Sequence, residues 1–168
     1  MTLLFISIVF ILPVVAIAGY QHYKIGTQPA YDANETLLNY EIIGSGINKL
    51  VLLHGLTGSL NYWKRELESI TKTHSLLLID LLGFGDSPKP KSDYSLSVQL
   101  QALELILKKE GFNDGKTSIA GHSMGAIISL ALLEKYAHWF KAGVFIGIPV
   151  YKDADEFKKV MSTHSLVD

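Results

Sequence analysis

The stretch Thr117-Ser118-Ile119-Ala120-Gly121-His122-Ser123-Met124-Gly125-Ala126-Ile127-Ile128-Ser129-Leu130-Ala131-Leu132-Leu133 changes character in its middle, and that change decides the fold. Lys116 to Ala120 has the length and apolar content of a buried strand, whereas Met124 to Tyr136 has the length of a helix. Between them stands Gly-x-Ser-x-Gly. The pattern alone is weak evidence, because Gly and Ser are both common in this chain; its position between a strand and a helix carries the weight. Glycines two before and two after Ser123 leave room for strand and helix to meet, and a strained turn projects the hydroxyl from the sheet. The helix that begins at Met124 directs its N–H groups and positive dipole end toward that hydroxyl, a setting that favours an oxyanion.

Working outward, short apolar runs alternate with helical periods. Leu37 to Ile43 predicts an early strand, turned by Gly44-Ser45-Gly46 into Lys49 to Leu53, whose run Leu50-Val51-Leu52-Leu53 is apolar on both faces. Asn61 to Thr73 predicts a helix capped by Ser59, Ser75 to Ile79 a buried strand, and Ser95 to Lys109 an amphipathic helix ending at Gly111. Ala142 to Ile148 is a further apolar strand before Pro149. The order β-β-α-β-α-β-α-β implies an α/β domain with a doubly wound, mostly parallel sheet over residues 37–150.

The composition bounds the function classes. With 168 residues, 48% hydrophobic and 18% charged, and a formal net charge of -1, the chain has neither a disordered composition nor a basic surface for nucleic acid. It has no cysteine, so disulfides are excluded and the redox compartment is left open. Leu3 to Gly19 carries no charge, and as a helix it would be roughly 26 Å long, close to the hydrocarbon thickness of a bilayer. Tyr20 and Tyr23 follow at the interfacial position and Lys24 is the first basic residue. Residues 1–20 therefore read as a single-pass membrane anchor, with 21–36 as a linker. The rival is a signal peptide cleaved near Ala16-Ile17-Ala18, which would make the protein secreted or periplasmic; a buried core helix is the third reading.

Three motifs stand in one order: His54-Gly55-Leu56-Thr57-Gly58-Ser59 after the first central strand, Asp80-Leu81-Leu82-Gly83-Phe84-Gly85-Asp86-Ser87 after the next, and Gly121-His122-Ser123-Met124-Gly125. Together they resemble the front two-thirds of an α/β-hydrolase domain, of the serine esterase or lipase kind. The resemblance implies that Ser123 is the nucleophile of an elbow formed with Gly121, His122 and Gly125. It further implies that the backbone N–H groups of Leu56 and Met124 form an oxyanion hole. His54, Gly55 and Asp80 would be structural supports, as would Asp86 in its turn, and His122 would point away from the hydroxyl. The expected substrate is a small-molecule ester or related acyl compound, with neither cofactor nor metal. A serine at the elbow argues against the haloalkane dehalogenases and epoxide hydrolases, which resemble this fold but use a carboxylate there.

A serine nucleophile also needs a base and a carboxylate to orient it, which in this family follow as an Asp or Glu and then a His. Only 45 residues follow Ser123. His138 comes too early and reads as a helix-end cation. His164, near Asp155 and Asp168, lies in a polar segment, 151–168, that resembles the start of a cap. The expectation is thus a truncated chain, or one inactive alone. A non-catalytic, membrane-tethered binding module is the alternative, and acyl transfer to an acceptor other than water stays open.

Overall fold

A computed structural model describes residues 29–148 except 66, together with 150 and 155. The segment 3–19, His164 and Asp168 lie outside the described residues. Among those described, no helix is long and apolar enough to cross a membrane.

Five strands form one mixed sheet: β1 (Tyr40–Ile43), β2 (Asn48–Leu53), β3 (His74–Ile79), β4 (Thr117–His122) and β5 (Phe140–Ile146), in the order β1-β3-β2-β4-β5. β1 runs antiparallel to β3, and the other pairings are parallel. The helices are α1 (Glu68–Thr71), α2 (Leu96–Lys109) and α3 (Met124–Lys135), with 3-10 turns at Leu60–Trp63 and Ala137–Trp139.

The alternation of side chains along a strand divides the core in two. Val51, Leu53, Leu77, Ile79 and Ile119 face one side, where α2 and α3 cover them with Leu103, Ile106, Leu107, Ile128 and Leu132. Leu52, Leu76, Leu78 and Ala120 face the other, under Leu60, Trp63 and Leu67. Both faces of the central strands are therefore buried, as their unbroken apolar runs require. Each fully buried Leu or Ile contributes about 1.5–3 kcal/mol through its area removed from water. α2 starts where Ser95 Oγ accepts the Val98 N–H at 3.5 Å, and it ends before Gly111 at φ +70°.

One expectation is corrected. The helix over Asn61 to Thr73 is broken into the Leu60–Trp63 turn and α1, and Ser59 forms no side-chain cap. The Leu60 N–H donates instead to Asp80 Oδ1 at 2.6 Å, which fixes a tight turn against the sheet. The glycine-rich link after β1 turns the chain as expected, and the sheet order, on which the sequence is silent, puts β3 between β1 and β2. The link crosses the start of β3 so closely that a Cβ on Gly46 would meet the Thr73 carbonyl carbon at 2.0 Å, and one on Gly44 the His74 oxygen at 2.4 Å.

Candidate active site

Ser123 joins β4 to α3 at φ 52° and ψ -116°, a conformation that L-residues adopt only under constraint. The constraint comes from close packing around the turn. A Cβ on Gly121 would lie 2.2 Å from the Gly125 oxygen, and one on Gly125 only 2.4 Å from the Leu53 oxygen and 2.5 Å from that of His54. The first turn of α3 thus rests against the end of β2 with no room for a methyl group. The Ser123 N–H donates to the Ile146 carbonyl at 2.9 Å, which ties the turn to β5. Its carbonyl accepts the N–H groups of Ala126 and Ile127 at 2.9 and 3.3 Å, whereas the Met124 N–H has no backbone acceptor among the described residues.

The loop after β2 lies alongside this turn. A Cβ on Gly55 would meet His122 Nδ1 at 3.0 Å and Ser123 Cβ at 3.1 Å, so only glycine lets the loop approach. The next residue, Leu56, is 63% exposed. The structure therefore brings together Ser123, the helix start at Met124 and the Leu56 segment, from three places in the sequence.

His54 is fully buried and both ring nitrogens are engaged. Nδ1 lies 2.7 Å from the Gly55 carbonyl, and Nε2 accepts the Leu81 N–H at 3.0 Å, so the proton sits on Nδ1. Burial pushes its pKa below the ordinary 6.5, with the Gly55 hydrogen bond and the nearby Asp80 charge opposing in part. Asp80 is also buried: Oδ1 accepts from Leu60, and Oδ2 accepts the Asn39 side-chain amide and the Asp86 N–H, each at 2.8 Å. These two residues clamp the loops after β2 and β3 to each other. His122 stacks on Tyr62, with ring centroids 5.1 Å apart and planes 19° apart. His138 lies beyond the far end of α3, edge-on to Trp139, and Asp155 is exposed. Ser123 Oγ forms no hydrogen bond among the described residues, and none of their His, Asp or Glu side chains gather in threes as a metal site would require.

A cavity of about 280 Å³ opens beside Met124, between α3 and the start of α2. Of its walls, sequence reasoning gave a site role to Met124 alone. Tyr94, one of them, sits at φ 52°, and nothing in the residue order signals that conformation.

The family model for the alpha/beta hydrolase fold matches residues 48–164. The chain belongs to the α/β-hydrolase family. It is 34% identical over 110 residues to Probable lysophospholipase BODYGUARD 4 of Arabidopsis thaliana, covering 64% of this chain and 26% of that one. It is 35% identical over 94 residues to Lipase 3 of Moraxella sp. (strain TA144), covering 55% and 29%. Among solved structures, an alpha/beta hydrolase enzyme from a Medee basin deep-sea metagenome library superposes with TM-score 0.63 at 28% identity, over 75% of this chain and 48% of that one. A marine microorganism esterase superposes at 0.64 with 21% identity, over 80% and 52%, a likeness of fold. The chain thus spans little more than a quarter of these relatives' length and about half that of the structures.

Proposed function

We propose that the protein is a serine hydrolase that cleaves an ester or related acyl bond through an acyl-enzyme on Ser123. The strained Ser123 backbone, wedged between β4 and α3 with Gly55 against it, carries the reading. In the first step Ser123 Oγ bonds to the acyl carbon as its proton passes to a base, and the carbonyl oxygen takes up negative charge. The N–H groups of Leu56 and Met124 donate to that oxygen; one such donor contributes about 10²–10³ in rate. The tetrahedral adduct then collapses, the leaving alcohol departs with a proton, and water releases the acid by the same steps reversed.

The base is not His54, whose Nε2 already accepts from Leu81, and the orienting acid is not Asp80, whose oxygens hold three donors. The reading assigns both roles to residues outside those described. The second reading is a binding module that keeps the fold without its catalysis. A fluorophosphonate probe separates the two. Labelling that Ser123→Ala abolishes supports the hydrolase; labelling that persists in Ser123→Ala overturns the assignment, and no labelling favours the binding module. We further propose that residues 3–19 anchor the protein in a membrane, which predicts that alkaline carbonate leaves it in the membrane pellet; release into the supernatant would count against an anchor.

A further inference from the structure

β5 ends the sheet order, and among the described residues it has a neighbouring strand on one side only. The Ser123 N–H donates to the Ile146 carbonyl, so Ile146 turns its backbone groups inward to the elbow, and by the alternation along a strand Ala142 and Val144 do the same. Gly143 and Phe145 therefore aim theirs at the open edge, two donors and two acceptors for a further strand. The register places Val144 beside Ala120, which lies beside Leu52, so Ala142, Val144 and Ile146 share the face that Leu60, Trp63 and Leu67 cover over the inner strands. Among the described residues that cover stops short of β5, and Val144 and Ile146 are 53% and 45% exposed. On the other face α3 lies above β5, where a Cβ on Gly143 would meet Leu133 Cδ1 at 2.5 Å. Leu130, three residues earlier on the same flank of α3, is 49% exposed.

Charge is a common means of blunting a sheet edge. β1, the opposite edge, carries Glu41, ion-paired with Lys64 at 2.5 Å. From Ala142 to Ile146 β5 carries no charge, and Lys141 stands at the register shift before this run. These five residues are self-complementary about Val144. With an identical strand antiparallel to them, on a two-fold axis through Val144, Gly143 of each faces Phe145 of the other. Those are the residues whose backbone groups point outward, so each pair exchanges two hydrogen bonds. In the same register Ala142 meets Ile146 and Val144 meets Val144, apolar against apolar with no like charges opposed. A strand spacing of about 4.8 Å sets the two α3 helices, each above its own β4 and β5, about 10 Å apart, a helix-packing distance, with Leu130 of each on the facing flank. We propose that two copies of this chain join their β5 edges into one continuous sheet, an isologous dimer. The register that satisfies the open backbone groups is also the one that matches the side chains, which selects a second copy as the occupant. The dimer holds β5 from both sides, and through Ile146 it steadies the turn at Ser123.

The chain has no cysteine, so single cysteines report the register. Val144→Cys, on the axis in a non-hydrogen-bonded pair with Cα atoms about 4.5 Å apart, should form a disulfide-linked dimer on mild oxidation of the full chain. Ala142→Cys and Ile146→Cys should each fail to cross-link alone, because like positions lie about 14 Å apart, and should cross-link with each other when co-expressed. Ile47→Cys, 95% exposed in the link between β1 and β2, measures random collision. The expected yield for Val144→Cys is about tenfold or more above that control, as a pair held within bonding distance requires. Sedimentation in density-matched detergent gives a second reading. The wild type should run at twice the 18.6 kDa of one chain, and Val144→Lys, which opposes two charges on the axis, as a single chain with unchanged circular dichroism. Val144→Cys at the Ile47→Cys yield, or a wild type that sediments as one chain, overturns the dimer. A strand from elsewhere in the same chain, or from another protein, seated on β5 would give that result. Ala142→Cys alone cross-linking as well as Val144→Cys overturns the register, and a Val144→Lys that folds and stays dimeric overturns the interface. The cysteine series decides the matter even where Val144→Lys fails to fold, and none of these readings depends on the chemistry of Ser123.

Discussion

Replacing Ser123 by glycine should stabilise the protein relative to Ser123→Ala, the reverse of the usual order. In ordinary strand or helix positions glycine is worse than alanine by about 0.5–1 kcal/mol, because it has more freedom to lose on folding. At φ 52° and ψ -116° the balance inverts, since a side chain there stores about 1–3 kcal/mol of backbone strain that glycine does not feel. The difference leaves Ser123→Gly ahead by about 1 kcal/mol. Alanine is the right reference because Ser123 Oγ holds no hydrogen bond among the described residues, so removing it leaves no partner unsatisfied. Urea unfolding followed by circular dichroism measures the gap. It appears as a midpoint about 0.5 M higher for Gly than for Ala, or about 2–4 °C in Tm for a chain of this size. Ser118, on β4 four pairs from its end and without a positive φ, supplies the contrast: there glycine should be the less stable. If Ser123→Gly unfolds before Ser123→Ala by the ordinary glycine penalty, the strained elbow is wrong.

Gly125→Ala places a methyl 2.4 Å from the Leu53 oxygen, so the start of α3 must move off β2. It should lower stability by about 1–3 kcal/mol, as overpacking does, and remove fluorophosphonate labelling; a fully labelled, wild-type-stable variant would contradict the geometry. His54 makes stability depend on pH. Its folded pKa lies below the ordinary 6.5 because it is buried, so between those values the unfolded chain binds more protons and stability falls as pH drops below about 6.5. The urea midpoint should therefore decline from pH 7 to pH 5 more steeply in wild type than in His54→Gln, and equal slopes would mean that His54 is not buried neutral.

The sheet was largely legible because its strands are buried on both faces: Leu50-Val51-Leu52-Leu53 and Leu76-Leu77-Leu78-Ile79 are runs that only a sheet interior explains. The helix start at Ser95 was legible for a local reason, its hydroxyl at the Val98 N–H. The segment after Ser59 was not. Leu60, Trp63 and Leu67 have helical spacing and do face the sheet, yet Leu60 is fastened to Asp80, twenty positions away, and that long-range bond breaks the helix. Strand order was not legible at all: a glycine-rich link tells that the chain turns, not that another strand will enter between its arms. At the site, the glycines two before and two after Ser123 mark where strand and helix touch, whereas Leu56 and Met124 are singled out only by the family resemblance. Tyr62 against His122, and the cavity walls, depend on side chains from separate elements and leave no local mark.

The entry of β3 between β1 and β2 also governs how the sheet can assemble. Among the described residues no two strands form a hairpin: Ile43 pairs with Leu76, Leu50 with both Leu76 and Ser118, and even the nearest partners in sequence, Thr117 and Phe140, are separated by the whole of α3. Each of these ladders must close a long loop before its first hydrogen bond, so the described residues offer no short-range strand pair to nucleate on, a pattern of slow, high-contact-order folding. During synthesis β1 and β2 emerge with their edges bare, and β2, the centre of the five described strands, stays half-paired until β4 arrives, an interval in which its open edge is exposed to wrong pairing.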